Sequence, residues 1–316
     1  MKQLPGLSDI RAAAERISPY VHRTPILTCR GIDGIVDAHL YFKCENFQKV
    51  GAFKFRGATN AVFSLSAAEI SRGVATHSSG NHAAALALAA RNRGAKAYVV
   101  MPRTSPQVKK DAVAGYGAEI IYCEPTLQSR ESTLAEIVEK TGATFIHPYN
   151  DERIIAGAGT AGLELIEEIP DLDIVMTPVG GGGLLSGTSI SVKELSPQTL
   201  VIAAEPEGAD DAYRSLKEGR IIPSVNPKTI ADGLLTSLGD KTFAIIRNRV
   251  DRIVKVSDNA IIAAMRLIWE RMKILVEPSA AVTLGALLEK RFDHAEKRIG
   301  IIVSGGNVDL NHLPWL

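Results

Sequence analysis

"DIVMTPVGGGGLLSG", residues 173–187, runs from an apolar stretch through four consecutive glycines into a second apolar stretch. In an open α/β sheet, ligands bind where a strand ends and its loop turns into a helix. Glycines in such a loop cost conformational entropy on ordering. Gly180, Gly181, Gly182 and Gly183 are explained if backbone N–H groups must turn toward an anion with no Cβ in the way. The helix that follows adds its positive end, so this loop predicts a phosphate guest.

The same alternation extends along the chain. Strand-like runs lie at 39–45, 74–78, 96–101, 119–123, 144–148, 173–179, 200–206, 252–256 and 299–305. Helix-like stretches lie at 82–93, 105–115, 129–141, 153–168, 184–195, 259–273 and 279–290. Strand followed by helix, repeated, predicts an α/β fold of twisted, mostly parallel sheets with helices on both faces. Four loops after strand-like runs are rich in Gly, Ser, Asn or His: "SSGNH" (78–82), "HPYND" (147–151), "PVGGGG" (178–183) and "SGGN" (304–307). Each alone is readable as a tight turn. Together, at matching strand ends, they mark one ligand site.

The bulk properties exclude several classes. Lys and Arg number 36 against 35 Asp and Glu, a net charge of +1, which argues against nucleic acid and anionic membranes. No run reaches the roughly 18 apolar residues of a membrane span, and "MKQLPGLSDIRAAAERI" reads as a lead into an amphipathic helix. Cys29, Cys44 and Cys123 form neither a disulfide framework nor a metal knuckle. The expectation is a cytoplasmic protein.

Two phosphates compete for the glycine loop. A dinucleotide would need G-x-G-x-x-G, with Glu205 at the next strand end meeting a ribose hydroxyl. That fingerprint fails, because the third glycine falls on Leu185 or Ser186, and no Walker lysine follows. A dinucleotide-binding oxidoreductase is thus the rival class. Pyridoxal phosphate needs a phosphate cradle, a lysine for its aldehyde and a flat apolar slot. "GAFKFRGATN" (51–60) offers Lys54 as the amine and Phe53 as the wall.

"GAFKFRGA", "SSGNHAAALALAA", "PVGGGGLLSG", "EPEGADD", "EPSAAV" and "VSGGNVD" together resemble the fold-type II pyridoxal phosphate enzymes of the serine and threonine dehydratase family, close to its serine racemases and 3-hydroxyaspartate dehydratases. The resemblance covers nearly the whole chain. It implies the tryptophan synthase β-like fold, with a large cofactor-binding domain (1–65 and 151–316), a small domain (66–150) and a homodimer. It implies that Lys54 carries the cofactor and takes the substrate α-proton, Phe53 packs on the ring, and Asn81 bonds the ring hydroxyl oxygen. Gly180 to Gly183 and the N–H of Leu184 hold the phosphate, and Ser304 faces the pyridine nitrogen. Ser79 is implied as the acid/base on the opposite face; read from the residues alone it is equally a helix N-cap. Ser78, Asn81 and His82 are implied to hold the substrate α-carboxylate.

Arg130 and Thr236 match contacts to a second carboxylate, which an arginine fork suits. On its residues alone Arg130 is equally a solvated helix-start arginine beside Glu131. Glu205, the Ala209 carbonyl and Asp211 match a Mg²⁺ or Ca²⁺ position. Ala84 and Tyr149 depart from the animal serine racemases near their nucleotide site, so nucleotide activation is not expected. The activity implied is a dehydratase (ammonia-lyase) acting on 3-hydroxyaspartate, with dehydration of serine or threonine, or racemisation, as alternatives.

Overall fold

The structure is a computed structural model describing residues 4–105 and 107–315. Its strands are β1 (Ile26–Leu27), β2 (His39–Cys44), β3 (Val74–His77), β4 (Ala97–Pro102), β5 (Glu119–Cys123), β6 (Thr144–Phe145), β7 (Ile174–Pro178), β8 (Leu200–Pro206), β9 (Arg252–Val256) and β10 (Arg298–Val303). They form a six-stranded sheet, β1-β2-β10-β7-β8-β9, and a four-stranded sheet, β5-β4-β3-β6. Every pairing is parallel except β1 with β2. Each apolar run in the sequence becomes a strand. Central strands such as β7 are buried throughout, as expected of a parallel sheet covered on both faces.

The helices Arg30–Val36, Ala67–Arg72, Asp211–Glu218 and Asp240–Arg249 lie outside the helix-like stretches of the sequence, and two further features escape its pattern. β1 is two residues long and pairs at the edge, Ile26 with Lys43 and Leu27 with Phe42, too short for any periodicity. The helix Lys54–Phe63 is buried all round from Phe55 to Val62, so Arg56, Thr59 and Asn60 interrupt the apolar stripe that would have marked it. Arg56 and Asn60 are satisfied inside, while the buried Thr59 hydroxyl has no partner among the described residues. Asn60 accepts from Arg16 Nη1 at 2.6 Å and donates to the Arg153 carbonyl at 2.7 Å.

Three helices meet behind the site at glycine contacts. A Cβ on Gly157 would lie 2.7 Å from the Arg56 carbonyl and from Gly57 Cα, and one on Gly187 would collide with the Ile155 carbonyl. The helices Lys54–Phe63, Glu152–Glu168 and Gly183–Leu195 therefore touch backbone to backbone.

Arg56 sits at the centre of this contact, fully buried. Its guanidinium forks onto Glu45, Nε at 2.7 Å from Oε2 and Nη2 at 2.9 Å from Oε1. It forks again onto Glu164, at 2.7 and 2.9 Å, and Nη1 reaches Thr160 Oγ1 at 3.2 Å. Lys43, also fully buried, donates to Glu164 at 2.6 Å and to the Thr24 carbonyl at 2.7 Å. Thr24 Oγ1 donates to Glu45 at 2.6 Å. Two cations and two carboxylates thus neutralise one another, and against the desolvation of burial Arg56 holds the Glu164 carboxyl below its usual range. Removing one partner from such a cluster strands the others. Arg56→Met is therefore expected to lower unfolding free energy by about 3–5 kcal/mol, read from its denaturation midpoint. A midpoint within error of wild type would show that the cluster does not hold the helices.

Candidate active site

The glycine loop joins β7 to the helix Gly183–Leu195. Its residues are buried, yet the N–H groups of Gly180, Gly181, Gly182, Gly183, Leu184 and Leu185 have no hydrogen-bond partner among the described residues. The N–H of Val179 before them pairs with Ala204, and that of Ser186 after them pairs with Gly182. A helix start leaves its first donors open, but so long a buried row calls for a ligand. The Cβ side of the loop is full of protein: Leu234 backbone at Gly180, the Tyr149 ring at Gly181, Leu238 and Ile246 at Gly182, and Tyr149 again at Gly183. Gly182 also has φ +87°, a region that favours glycine. The glycines thus serve packing on one side and leave donors free on the other.

Lys54 begins the helix Lys54–Phe63, with Phe53 at its N-cap. Its Nζ donates to the Pro148 carbonyl at 2.8 Å and stands 5.2 Å from the centre of the Phe53 ring. Burial pulls its pKa down to about 8, the carboxyl of Glu277 opposing. Ser304 follows β10 and is buried; its carbonyl accepts from the Phe53 N–H at 3.0 Å. An open row of phosphate donors beside an amine of depressed basicity fits pyridoxal phosphate, the row for its phosphate and Lys54 for its aldehyde carbon.

The loop after β3 forms the opposite wall. Gly80, not Ser79, is the N-cap of the helix Asn81–Arg93, and no side chain caps it. This corrects the alternative reading of Ser79, whose hydroxyl has no partner among the described residues. Ser78 Oγ accepts from the Gly80 N–H at 3.3 Å. The His82 ring turns into the core, Nε2 at 3.3 Å from the Ile146 carbonyl, and burial holds its pKa well below the usual value. What His82 offers a ligand is its backbone N–H. Asn81 Nδ2 lies 3.0 and 3.2 Å from the two oxygens of Glu277, and its Oδ1 accepts from Asn307 at 2.9 Å. Since a carboxylate only accepts, the amide's orientation is fixed from both ends. Burial raises the Glu277 pKa to about 7. Neither Glu277 nor Asn307 was singled out in the sequence; "EPSAAV" reads as an ordinary helix start with proline at its first position.

A stack of rings continues this wall. His77 and Phe145 lie 5.9 Å apart, Phe145 and His147 5.6 Å, and His147 and Tyr149 4.6 Å. His147 Nδ1 accepts from the N–H groups of Tyr149 (3.3 Å) and Asn150 (3.0 Å). Arg130, in the first turn of Leu127–Thr141, has a buried Nε with no partner. Its charge is felt at His77, whose pKa falls chiefly through burial. Thr236 is exposed, beside the Tyr149 hydroxyl.

Glu205, next to last in β8 and fully buried, accepts from the N–H groups of Ala212 (2.9 Å) and Tyr213 (2.8 Å). Burial pushes its pKa up to about 9 and that of Asp211 up to about 6. Both Asp211 oxygens are buried without a hydrogen-bond partner, and the Ala209 carbonyl is likewise free among the described residues. An orphaned buried carboxylate beside a second one fits a bound cation. No group of three or more His, Cys, Asp or Glu side chains that could hold a metal ion occurs among the described residues. No described helix is long and apolar enough to cross a membrane.

The model of the family described as pyridoxal-phosphate dependent enzyme matches residues 17–305. The chain is 54% identical over 312 residues to a beta-hydroxyaspartate dehydratase of Paracoccus denitrificans (strain Pd 1222), covering 99% of each. The crystal structure of serine racemase from Dictyostelium discoideum is 52% identical and superposes with a TM-score of 0.93, over 96% of this chain and 99% of that one. The structure of maize serine racemase is 47% identical with a TM-score of 0.96, over 98% and 95%. With its lysine, its glycine loop and these likenesses, the chain belongs to the pyridoxal-phosphate dependent enzymes, in their fold-type II form.

Proposed function

We propose that this enzyme is an ammonia-lyase that removes water from 3-hydroxyaspartate. The observation that carries this reading is Arg130, a guanidinium whose buried Nε is answered by no carboxylate among the described residues and which stands near the carboxyl end of β3. A second carboxylate on the substrate is the partner such a group lacks. The likeness to a beta-hydroxyaspartate dehydratase supports the same substrate.

In this reading residues 66–150 form a small domain that closes on the rest of the chain, and the enzyme is a homodimer. The N–H groups of Gly180 to Leu184 hold the cofactor phosphate, Phe53 walls the ring, Asn81 donates its free amide hydrogen to the ring hydroxyl oxygen and Ser304 meets the pyridine nitrogen. Bound there, pyridoxal phosphate draws electrons from the substrate α-carbon and makes its proton acidic. Lys54, its basicity lowered by burial, takes that proton in its neutral form. Ser78 and the N–H groups of Asn81 and His82 hold the α-carboxylate at a helix start. The β-hydroxyl leaves as water with the proton gained, and the imino acid then adds water to give oxaloacetate and ammonia. A hydroxyl at Ser304, unlike a carboxylate, does not keep the pyridine nitrogen protonated, which favours prompt loss of the β-hydroxyl. A second reading, racemisation, rests on Ser79. Its hydroxyl is released from capping because Gly80 caps the helix, so it is free to deliver a proton from the other face. Glu205, Asp211 and the Ala209 carbonyl hold Mg²⁺ or Ca²⁺, neutralising the buried carboxylates.

Three outcomes are expected. Lys54→Ala abolishes the visible absorption band and its bleaching by borohydride, and wild-type turnover rises with pH through about 8 as the amine loses its proton; a band that survives in the variant refutes Lys54 as the anchor. Keto acid release from the stereoisomers of 3-hydroxyaspartate exceeds that from L-serine and L-threonine, and Arg130→Ala erases about tenfold or more of that preference; faster serine turnover indifferent to Arg130 overturns the substrate. Exhaustive chelation lowers the wild-type melting temperature but leaves Asp211→Asn unmoved; two unchanged curves remove the cation.

A further inference from the structure

His147 lies outside every role given so far. Its Nδ1 accepts two backbone N–H groups, from Tyr149 at 3.3 Å and Asn150 at 3.0 Å. A nitrogen that accepts carries no proton, so the neutral ring must bear its hydrogen on Nε2. That N–H has no partner among the described residues, and the ring is only half-buried. Two rings pack against it, Phe145 with its centre at 5.6 Å and Tyr149 edge-on at 4.6 Å, and with the two N–H donors they hold its orientation. Burial, with His77 and Lys54 adding to it, holds its pKa down to about 4, so the neutral form persists at working pH.

The neighbours share one character. Arg130 Nε is buried and unpaired, the Ser79 hydroxyl is free, and Lys54 stands on the far side with its amine on Pro148. His77, 6.3 Å from His147, lies on the side toward Arg130. Donors thus line this wall of the cleft, and an acceptor-rich guest suits it.

We infer that His147 is a specificity-determining residue, donating from Nε2 to the carboxylate at the far end of a dicarboxylic substrate, in company with Arg130. This rests on the hydroxyaspartate reading above. A neutral donor has an advantage at this position, since a second cation beside Lys54 would raise the cost of keeping Arg130 charged.

Two isosteres separate the ring's nitrogens. His147→Asn keeps an acceptor where Nδ1 holds the Tyr149 and Asn150 N–H groups but removes the Nε2 donor. His147→Gln keeps a donor near Nε2 and loses the acceptor. The measurements are kcat and KM for 3-hydroxyaspartate and for L-serine, with the shift in melting temperature caused by malonate, a dicarboxylate that cannot be dehydrated. His147→Asn is expected to lower the ratio of kcat/KM for hydroxyaspartate over serine by about tenfold, mainly through KM, and to weaken malonate stabilisation. His147→Gln retains more of both. Equal losses for the two substrates in His147→Asn, with malonate binding intact, overturn the inference and make His147 a brace for its loop. A wild-type enzyme that prefers serine overturns the hydroxyaspartate reading and this inference together, whereas a wild type that prefers hydroxyaspartate confines any failure to His147.

Discussion

The buried cluster of Arg56, Glu45, Glu164 and Lys43 is the constraint on which the site depends. Arg56 stands two residues after Lys54 on the same helix, and its guanidinium ties that helix to the chain after β2 and to the helix Glu152–Glu168. The same helix is pressed against Glu152–Glu168 at Gly57 and Gly157, and Glu152–Glu168 against Gly183–Leu195 at Gly187. Lys54 and the open N–H row of the glycine loop therefore sit at the starts of helices locked to one another. Such a cluster adds little net stability over an apolar core of equal volume. Its contribution is geometric, since a double fork admits one orientation of the helix and an apolar contact admits several.

The walls of the cleft come from different parts of the chain, and the contacts across it are polar. Asn81 belongs to the helix after β3, while Glu277 and Asn307 come from the region around the six-stranded sheet. Lys54 reaches the Pro148 carbonyl just beyond β6. Hydrogen bonds of this kind contribute about 1 kcal/mol each net, enough to set the relative position of the walls.

Much of this was legible in the sequence, for physical reasons. Strands buried on both faces are apolar runs, and their ends are punctuated by Gly, Ser and Asn, so the fold and the four loops could be read directly. Lys54 and the glycine loop stood out because each breaks the composition around it. Glu277 could not be found this way, because a glutamate before a proline is an ordinary helix start until the fold brings Asn81 against it. The helix Lys54–Phe63 was hidden because its polar residues are buried inside the protein and not turned to water. Ser79 looked like a cap because serine usually is one; the chain instead gives that post to Gly80.

The crowding on the Cβ side of the glycine loop has a consequence for descent. Leu234, Tyr149, Leu238 and Ile246 would each be struck by a methyl group at positions 180 to 183, with or without a cofactor beyond them. Selection for folding alone therefore preserves Gly181 and Gly182, where the contacts fall well inside van der Waals distance. A descendant that had abandoned catalysis would still display Gly181 and Gly182, while only one hydrogen bond, to the Pro148 carbonyl, favours a lysine at residue 54. Position 54, and not the glycine signature, is where a retired copy of this protein would first betray itself.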